Sequence, residues 1–397
     1  MNESEPVQPG YTLSVVLPCY NEQRTLQRCL DRLLDAFASR PDILLEVIVV
    51  DDCSADRSFE IAKDYARLNP QVSVHSHDRN RGKGAALRTG FGLATGNWVA
   101  IQDADLEYDP RDLVRLLEPL EMGEADVVYG SRFLNASAHR VLYFWHSLGN
   151  KFLTTLSNMF TDMNLTDMET CYKVFRKDVL DGIEIEEDRF GFEPEITAKV
   201  AGQRLRVYEI GISYFGRTYA EGKKIGVRDG LWALYCVVKY NANRAPVIMQ
   251  LLIYLLIGAV AALFNLAAFS SLFVLTGSLV ASAAIAFLLA AVINYCLCIR
   301  LLFRRGARWS AGTELFVYVG VVLLVGAIDV LSTVLLVKIG LAPMVAKAMA
   351  SVVGFLLNFF GRRNFVFPEP GRGPWRPQVG PEAGRPEPPA GTMRPSD

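Results

Sequence analysis

The chain has almost no net charge. Its 41 Lys and Arg residues are balanced by 42 Asp and Glu, and a formal charge of -1 over 397 residues offers no global field for nucleic acid or another polyanion. The seven cysteines (Cys19, Cys29, Cys53, Cys171, Cys236, Cys296 and Cys298) show neither metal-ligand spacing nor a disulfide-like pattern, which fits a reducing cytosol. Met1 to Gly10 is short and polar and has no signal-peptide pattern, so the soluble part is expected to stay in the cytoplasm. A Walker loop is also missing: Gly82-Lys83-Gly84 lacks the G-x-x-x-x-G-K-[ST] spacing.

What the chain has in excess is apolar sequence. Hydrophobic residues make up 51% of it, and mean hydropathy is +0.21. The surplus lies between Val247 and Phe360, while residues up to about 245 read as an ordinary globular domain. In that domain apolar runs alternate with helical patterns. Strands are expected at Leu13–Pro18, Leu45–Val50, Val72–His75, Trp98–Ile101 and Asp126–Gly130. Helices are expected from Asn21 and Glu22 through Leu26, Leu30, Leu33 and Leu34, from about Ser58 to Leu68, and from near Gly82 past Phe91. This is an α/β pattern with a mostly parallel sheet, whose ligands bind beyond the carboxyl ends of the strands.

Asp51, Asp52, Asp103 and Asp105 all fall at such ends. Asp103-Ala104-Asp105 is the central stretch: read as strand, it puts both carboxylates on one face, where they could share a hard divalent cation completed by phosphate oxygens. A bare D-x-D is weak evidence, since most such pairs are solvated turn residues. Lys83, at a helix start with free N–H groups, suits a phosphate, although a solvated lysine in a plain turn reads the same way. Arg132 gains interest only by converging with the acids.

Two stretches admit two readings. His139 to Phe160 carries Phe144, Trp145, Leu148 and Phe152, and is either a core helix or one lying in the membrane interface. Asp229 to Arg244, leading straight into the apolar region, favours the interface. Beyond it, Tyr254 to Phe303 and Tyr318 to Phe367 align at constant offset, pairing Tyr254 with Tyr318, Asn265 with Asp329 and Asn294 with Asn358. Two spans per unit predict four transmembrane helices, at about 248–270, 278–299, 314–336 and 343–362, in parallel repeats. Arg300, Arg304, Arg305 and Arg308 between the units, with Arg362 and Arg363 after the last span, put the soluble domain on the cytoplasmic side. Asp329, deep in a span, is either functional or paired with a group such as Asn265. The expected domains are a disordered 1–11, a soluble 12–228, an amphipathic 229–246, a transmembrane 247–367 and a disordered Pro/Gly-rich tail 368–397.

Five ordered motifs carry a family resemblance: Pro18-Cys19-Tyr20-Asn21-Glu22, Val49-Val50-Asp51-Asp52-Cys53-Ser54, Gly82-Lys83-Gly84-Ala85-Ala86-Leu87, Asp103-Ala104-Asp105-Leu106-Glu107 and Gly130-Ser131-Arg132. From about residue 12 to 225 the chain resembles family 2 glycosyltransferases, most of all the dolichyl- or polyprenyl-phosphate sugar (mannose) synthases, and its membrane part resembles the GtrA-like domain. The resemblance implies a GT-A, Rossmann-like fold binding a nucleotide-diphosphate sugar such as GDP-mannose or UDP-glucose. It implies that Pro18, Tyr20, Glu22, Asp51 and Asp52 line the nucleoside pocket near Lys83. Asp103, Asp105 and Glu107 would hold Mg²⁺ or Mn²⁺, with Ala104 beside the diphosphate. Arg132 would meet the acceptor phosphate, Asp167 would be an active-site acid, and Arg217, Lys223 and Lys224 would close a basic loop over the diphosphate. Two departures stand out: Glu107 occupies a position where the dolichyl-phosphate mannose enzymes commonly have Gln, and Cys171 one where they have Gly. The Q-x-x-R-W signature of processive synthases is missing, which argues for transfer of a single sugar.

A polyprenyl phosphate, largely dianionic near neutral pH, needs positioning more than a strong base, so inverting displacement onto it is the leading expectation. The bilayer would hold its chain. Transfer to a lipid hydroxyl and a lipid-sugar flippase with a sensing soluble domain are the alternatives. The four helices could also serve only as an anchor and as a surface on which copies of the chain assemble.

Overall fold

In the computed structural model the described residues are 10–134, 140–141, 143–217, 226–303, 311–366 and 375–376. Two compact units divide the chain between Tyr240 and Asn241.

The first unit is built on a seven-stranded sheet: β1 (Tyr11–Cys19), β2 (Ile43–Asp51), β3 (Val72–Ser76), β4 (Trp98–Ile101), β5 (Val127–Ser131), β6 (Lys173–Arg176) and β7 (Val207–Gly211). Their order is β3-β2-β1-β4-β6-β5-β7. All neighbours run parallel except β6, which is antiparallel to both β4 and β5. Leu13, Val15, Val16 and Leu17 of β1 and Val47 to Val50 of β2 are buried, as expected of parallel strands covered on both faces. Helices α1 (Leu26–Phe37), α2 (Ser58–Leu68), α3 (Lys83–Leu93) and α4 (Pro110–Glu121) connect them. In α1 the buried residues Leu26, Cys29, Leu30, Leu33 and Phe37 follow the stripe of a surface helix. In α4, Asp109 caps the first turn by accepting from the Arg111 N–H, and Pro110 occupies a position where no N–H is needed.

Register decides where ligands meet the sheet. Cys19 pairs with Asp51 and Val16 with Ile101, so β1, β2 and β4 release their chains at one edge. There β1 is flanked by β2 on one side and β4 on the other. The connections reverse direction at this point, which is the place for a ligand crevice.

Helix α5 (Phe144–Thr161) exposes Phe144, Trp145, Leu148 and Phe152, so of the two readings of this stretch the apolar face is outward. His139 lies outside the described residues. Short α6 (Lys177–Asp181), α7 (Phe192–Gly202) and α8 (Val227–Asn241) complete the unit. Helix α8 buries Ala233, Cys236, Val237 and Tyr240 while exposing Leu231, Trp232 and Tyr235.

The second unit holds α9 (Val247–Thr276), α10 (Leu279–Leu297), α11 (Ala311–Lys338) and α12 (Pro343–Gly361). Among the described residues three stretches, Val247–Thr276, Ile285–Leu302 and Phe316–Lys338, are long and apolar enough to cross a membrane. A π turn follows α10 at Cys298–Phe303 and another follows α12 at Arg362–Val366. Asp329 meets Ser351 Oγ on α12 at 3.4 Å. Arg304, Arg305 and Arg308 lie outside the described residues, whereas Arg362 is buried and is no loop charge.

Candidate active site

The site grows from the loops at the carboxyl edge. After β1, Asn21 adopts a left-handed φ of 54°, and after β2 Cys53 does so at 59°. These bends bring the two loops side by side: the Asn21 N–H donates to Ser54 Oγ (3.0 Å), the Glu22 N–H to Ser58 Oγ (2.8 Å), and the Ala55 N–H to Asn21 Oδ1 (2.8 Å). Pro18 pairs with Val50 one residue before β1 ends at Cys19, and Tyr20 stands exposed beyond it.

Asp51 and Asp52 divide their work. Asp52 accepts from the Arg81 N–H (2.8 Å) and the Gly82 N–H (2.6 Å), and its Oδ1 lies 2.7 Å from His77 Nδ1. It therefore fixes the loop before α3. Gly82 sits at φ 103°, a conformation that favours glycine. Asp51 is buried, with Oδ2 accepting from the Ser54 N–H and Ser76 Oγ. Its Oδ1 is buried without a hydrogen-bond partner, and such an orphan calls for a donor from outside.

The acidic stretch is not strand. Strand β4 ends at Ile101, and Gln102 turns the chain out of the sheet, its N–H bonded to the Val16 carbonyl (3.0 Å) and its side chain accepting from the Tyr172 hydroxyl (2.6 Å). Asp103, Ala104 and Asp105 follow in the loop, so strand alternation does not place the two carboxylates. Each has its own cation instead. Lys83 Nζ lies 3.0 Å from Asp103 and 3.0 Å from Glu193. Arg217 lies 2.6 Å from Asp105, 3.0 Å from Glu107 and 3.5 Å from Glu22. Glu107 also accepts from the Tyr214 hydroxyl at 2.6 Å, so its extra charge is met by the segment after β7. Lys223 and Lys224 lie outside the described residues.

Burial, with the charges of Asp103 and Glu107, pushes the Asp105 carboxyl up to about 7 against the opposing pull of Arg217. Burial works against the Lys83 ammonium, but Asp103, Cys171 and Glu193 outweigh it and hold the lysine well above its usual range. Among the described residues no three His, Cys, Asp or Glu side chains form a ready metal cage. The donor set nevertheless suits a hard divalent cation: oxygen ligands on mutually repelling carboxylates.

A second cluster forms where β5 ends. Arg132 binds Asp167 through Nε (2.6 Å), a terminal nitrogen (2.7 Å) and its own N–H (3.0 Å). Asp167 is fully buried, and its N–H donates to Glu209. Arg132 also stacks over Tyr214 at 5.2 Å. Burial opposes the guanidinium charge, yet Asp167 beside it holds Arg132 well above the ordinary arginine range. A groove lined by Lys151, Thr154, Asn158, Asn164 and Thr166 runs beside α5 next to this cluster.

Sequence reasoning missed two acids. Glu169 Oε1 and Glu193 Oε2 are buried without hydrogen-bond partners. Burial and the Glu193 charge push Glu169 up to about 8. Neither has a motif to announce it. The one available signal, for Glu193 alone, is that two acids stand between Phe192 and Ile196.

The glycosyl transferase family 2 model matches residues 14–183, and the GtrA/DPMS transmembrane domain model matches 253–367. The undecaprenyl-phosphate mannosyltransferase of Micrococcus luteus is 32% identical over 223 residues, covering 53% of this chain and 86% of that protein. This chain belongs to glycosyl transferase family 2. The dolichol-phosphate mannosyltransferase of Pyrococcus furiosus is 26% identical over 235 residues, 58% of this chain and 65% of its own length, just under two thirds. Among solved structures, glucosyl-3-phosphoglycerate synthase from Mycobacterium tuberculosis in complex with Mn²⁺, UDP and glucosyl-3-phosphoglycerate is 19% identical, with a TM-score of 0.46 over 58% of this chain and 80% of that one. The family 2 domain is thus the α/β unit, followed by the helical membrane domain.

Proposed function

We propose that this family 2 protein transfers one hexose from a nucleotide-diphosphate sugar to a polyprenyl or dolichyl phosphate, with inversion, at the cytoplasmic face of a membrane. The observation that carries this reading is the Arg132–Asp167 lock. Asp167 gives both oxygens to Arg132, which leaves it a poor general base. A phosphate acceptor needs no base, only a cation that positions it without quenching it. The relatives named for undecaprenyl and dolichol phosphate point the same way.

The chain's own groups divide the work. Asp51 Oδ1 is placed to accept from a nucleoside donor. Asp103 and Asp105, with Glu107 close by, would hold Mg²⁺ or Mn²⁺. When bound, such an ion stabilises charge on a departing diphosphate. Arg217, held by Asp105, Glu107 and Glu22, is placed to turn toward that charge once the acids have another partner. Lys83 holds Asp103 in place. Arg132 presents its guanidinium to the acceptor phosphate, and the apolar face of α5 suits the acceptor's hydrocarbon chain.

A second reading, transfer to a lipid hydroxyl, needs a base, and Glu169, pushed up to about 8 with an unpartnered oxygen, is the group that could serve. The test supplies labelled GDP-mannose or UDP-glucose to detergent-solubilised protein with Mg²⁺ or Mn²⁺, and with either polyprenyl phosphate or polyprenol. The proposal expects an acid-labile product from the phosphate alone, lost in Asp105→Ala. Product from the alcohol alone, abolished by Glu169→Gln, would replace it with the second reading.

A further inference from the structure

The helical unit carries a buried cation with no counter-charge among the described residues. Arg362 follows the last turn of α12 and is 4% exposed. Its Nε donates to Asn358 Oδ1 (3.1 Å), and Nη1 donates to Asn294 Oδ1 (2.7 Å) and Cys298 Sγ (3.7 Å). The guanidinium lies 4.4 Å from the Tyr318 ring and 5.4 Å from the Tyr254 ring. Every one of these partners is neutral, and among the described residues no carboxylate pairs with Arg362.

The internal repeat shows that this cluster is built. It equates Tyr254 with Tyr318 and Asn294 with Asn358, and the same offset equates Cys298 with Arg362. All six residues meet at one point, so the repeats contribute matching walls around their shared axis. A π turn begins at each of the two axial residues, Cys298 and Arg362, and such turns often mark functional sites. Only one half supplies a charge, so the centre holds a single positive charge inside a neutral polar ring.

Its depth narrows the ligand. Helix α9 has 30 residues, about 45 Å, which matches a bilayer with its headgroups. Tyr254 lies about two turns, roughly 10 Å, from the start of α9, near the level where hydrocarbon gives way to headgroups. A buried cation is costly at that depth and normally finds a partner. Guanidinium binds phosphate with planar, paired hydrogen bonds, and Nη2 donates to no described residue.

We infer that Arg362, ringed by Tyr254, Tyr318, Asn294 and Asn358, binds the phosphate of an anionic lipid. This site is in the helical unit and takes no part in the sugar-transfer chemistry proposed above. The same chemistry could come from free phosphate, so the test separates the two sources.

Native mass spectrometry of the full chain would follow retention of phosphatidylglycerol against phosphatidylcholine, with inorganic phosphate as competitor. The wild type should prefer phosphatidylglycerol at least tenfold. Arg362→Gln should abolish that preference. So should Cys298→Asp, which sets a carboxylate beside the guanidinium and carries the test if Arg362→Gln does not fold. Equal retention of both lipids by the wild type, or an unchanged preference in a folded variant, would overturn the inference. Displacement of phosphatidylglycerol by millimolar inorganic phosphate would overturn the lipid as the source.

Discussion

Replacing Asp167 by Asn separates a positioning role from a chemical one. Asp167 is fully buried, and the side chain of Arg132 is 9% exposed. Three bonds of 2.6 to 3.0 Å join them. Removing one partner of a buried pair costs about 3–5 kcal/mol, because the other charge is left uncompensated. Asparagine retains one acceptor, so the lower end, about 3 kcal/mol, is the expected loss. For a unit of this size each kcal/mol moves the melting midpoint by about 2–4 °C, which predicts a drop of about 6–12 °C. The assay is thermal unfolding of the full chain in detergent, read by proteolysis within the family 2 domain. Arg132→Met with Asp167→Leu should recover most of the lost stability and remain inactive, since a well-packed apolar pair can replace a buried ion pair. A shift below about 2 °C in Asp167→Asn, with activity abolished, would refute the lock and return Asp167 to direct chemistry.

Asp105 predicts an unusual pH dependence. Its folded pKa of about 7 lies above the ordinary aspartate value of about 4, so the folded chain holds this proton more tightly than the unfolded one. Its contribution therefore favours folding below about pH 4 and declines as pH rises toward 7. Melting curves without divalent cations should show that decline, Asp105→Asn should flatten it, and added Mn²⁺ should restore stability most strongly above pH 7. A Cβ at Gly84 would collide with the Glu187 carbonyl, so Gly84→Ala should lower stability by about 1–3 kcal/mol, which chemical denaturation would read. Tyr214→Phe deletes the hydroxyl bonded to Glu107 at 2.6 Å. It should cost about 1.5–3 kcal/mol and weaken the hold on Arg217, seen as faster proteolysis after β7.

The strands leading to Asp51, Asp103 and Arg132 were legible because covered strands are nearly continuous apolar runs. Helix α2 runs from Ser58 to Leu68 as expected, its pattern unbroken by proline or glycine. The acidic loop was legible in composition but not in geometry. Local pattern cannot show that Gln102 leaves the sheet to bond Tyr172, a residue far along the chain. Strand β6, only four residues long, carries too little pattern to reveal its antiparallel insertion. Glu169 and Glu193 were illegible because what sets them apart is one buried oxygen left without a hydrogen bond, which only packing creates. The roles of Asp51 and Asp52 looked alike in sequence. Loop geometry separates them, leaving one acid structural and the other open.

The placement of β6 also bears on how the chain is made. Trp98 of β4 pairs with Arg176 of β6, so the strand feeding the acidic loop has one side unsatisfied until β5, α5 and the following loop have been synthesised. Ribosomes deliver residues at about 5–20 per second, which leaves an apolar, unpaired edge open for several seconds. A nascent chain stalled between Ile101 and Lys173 would present that edge to other chains, a recognised route to aggregation. This topology makes the middle of the family 2 domain the stretch most dependent on chaperones during synthesis.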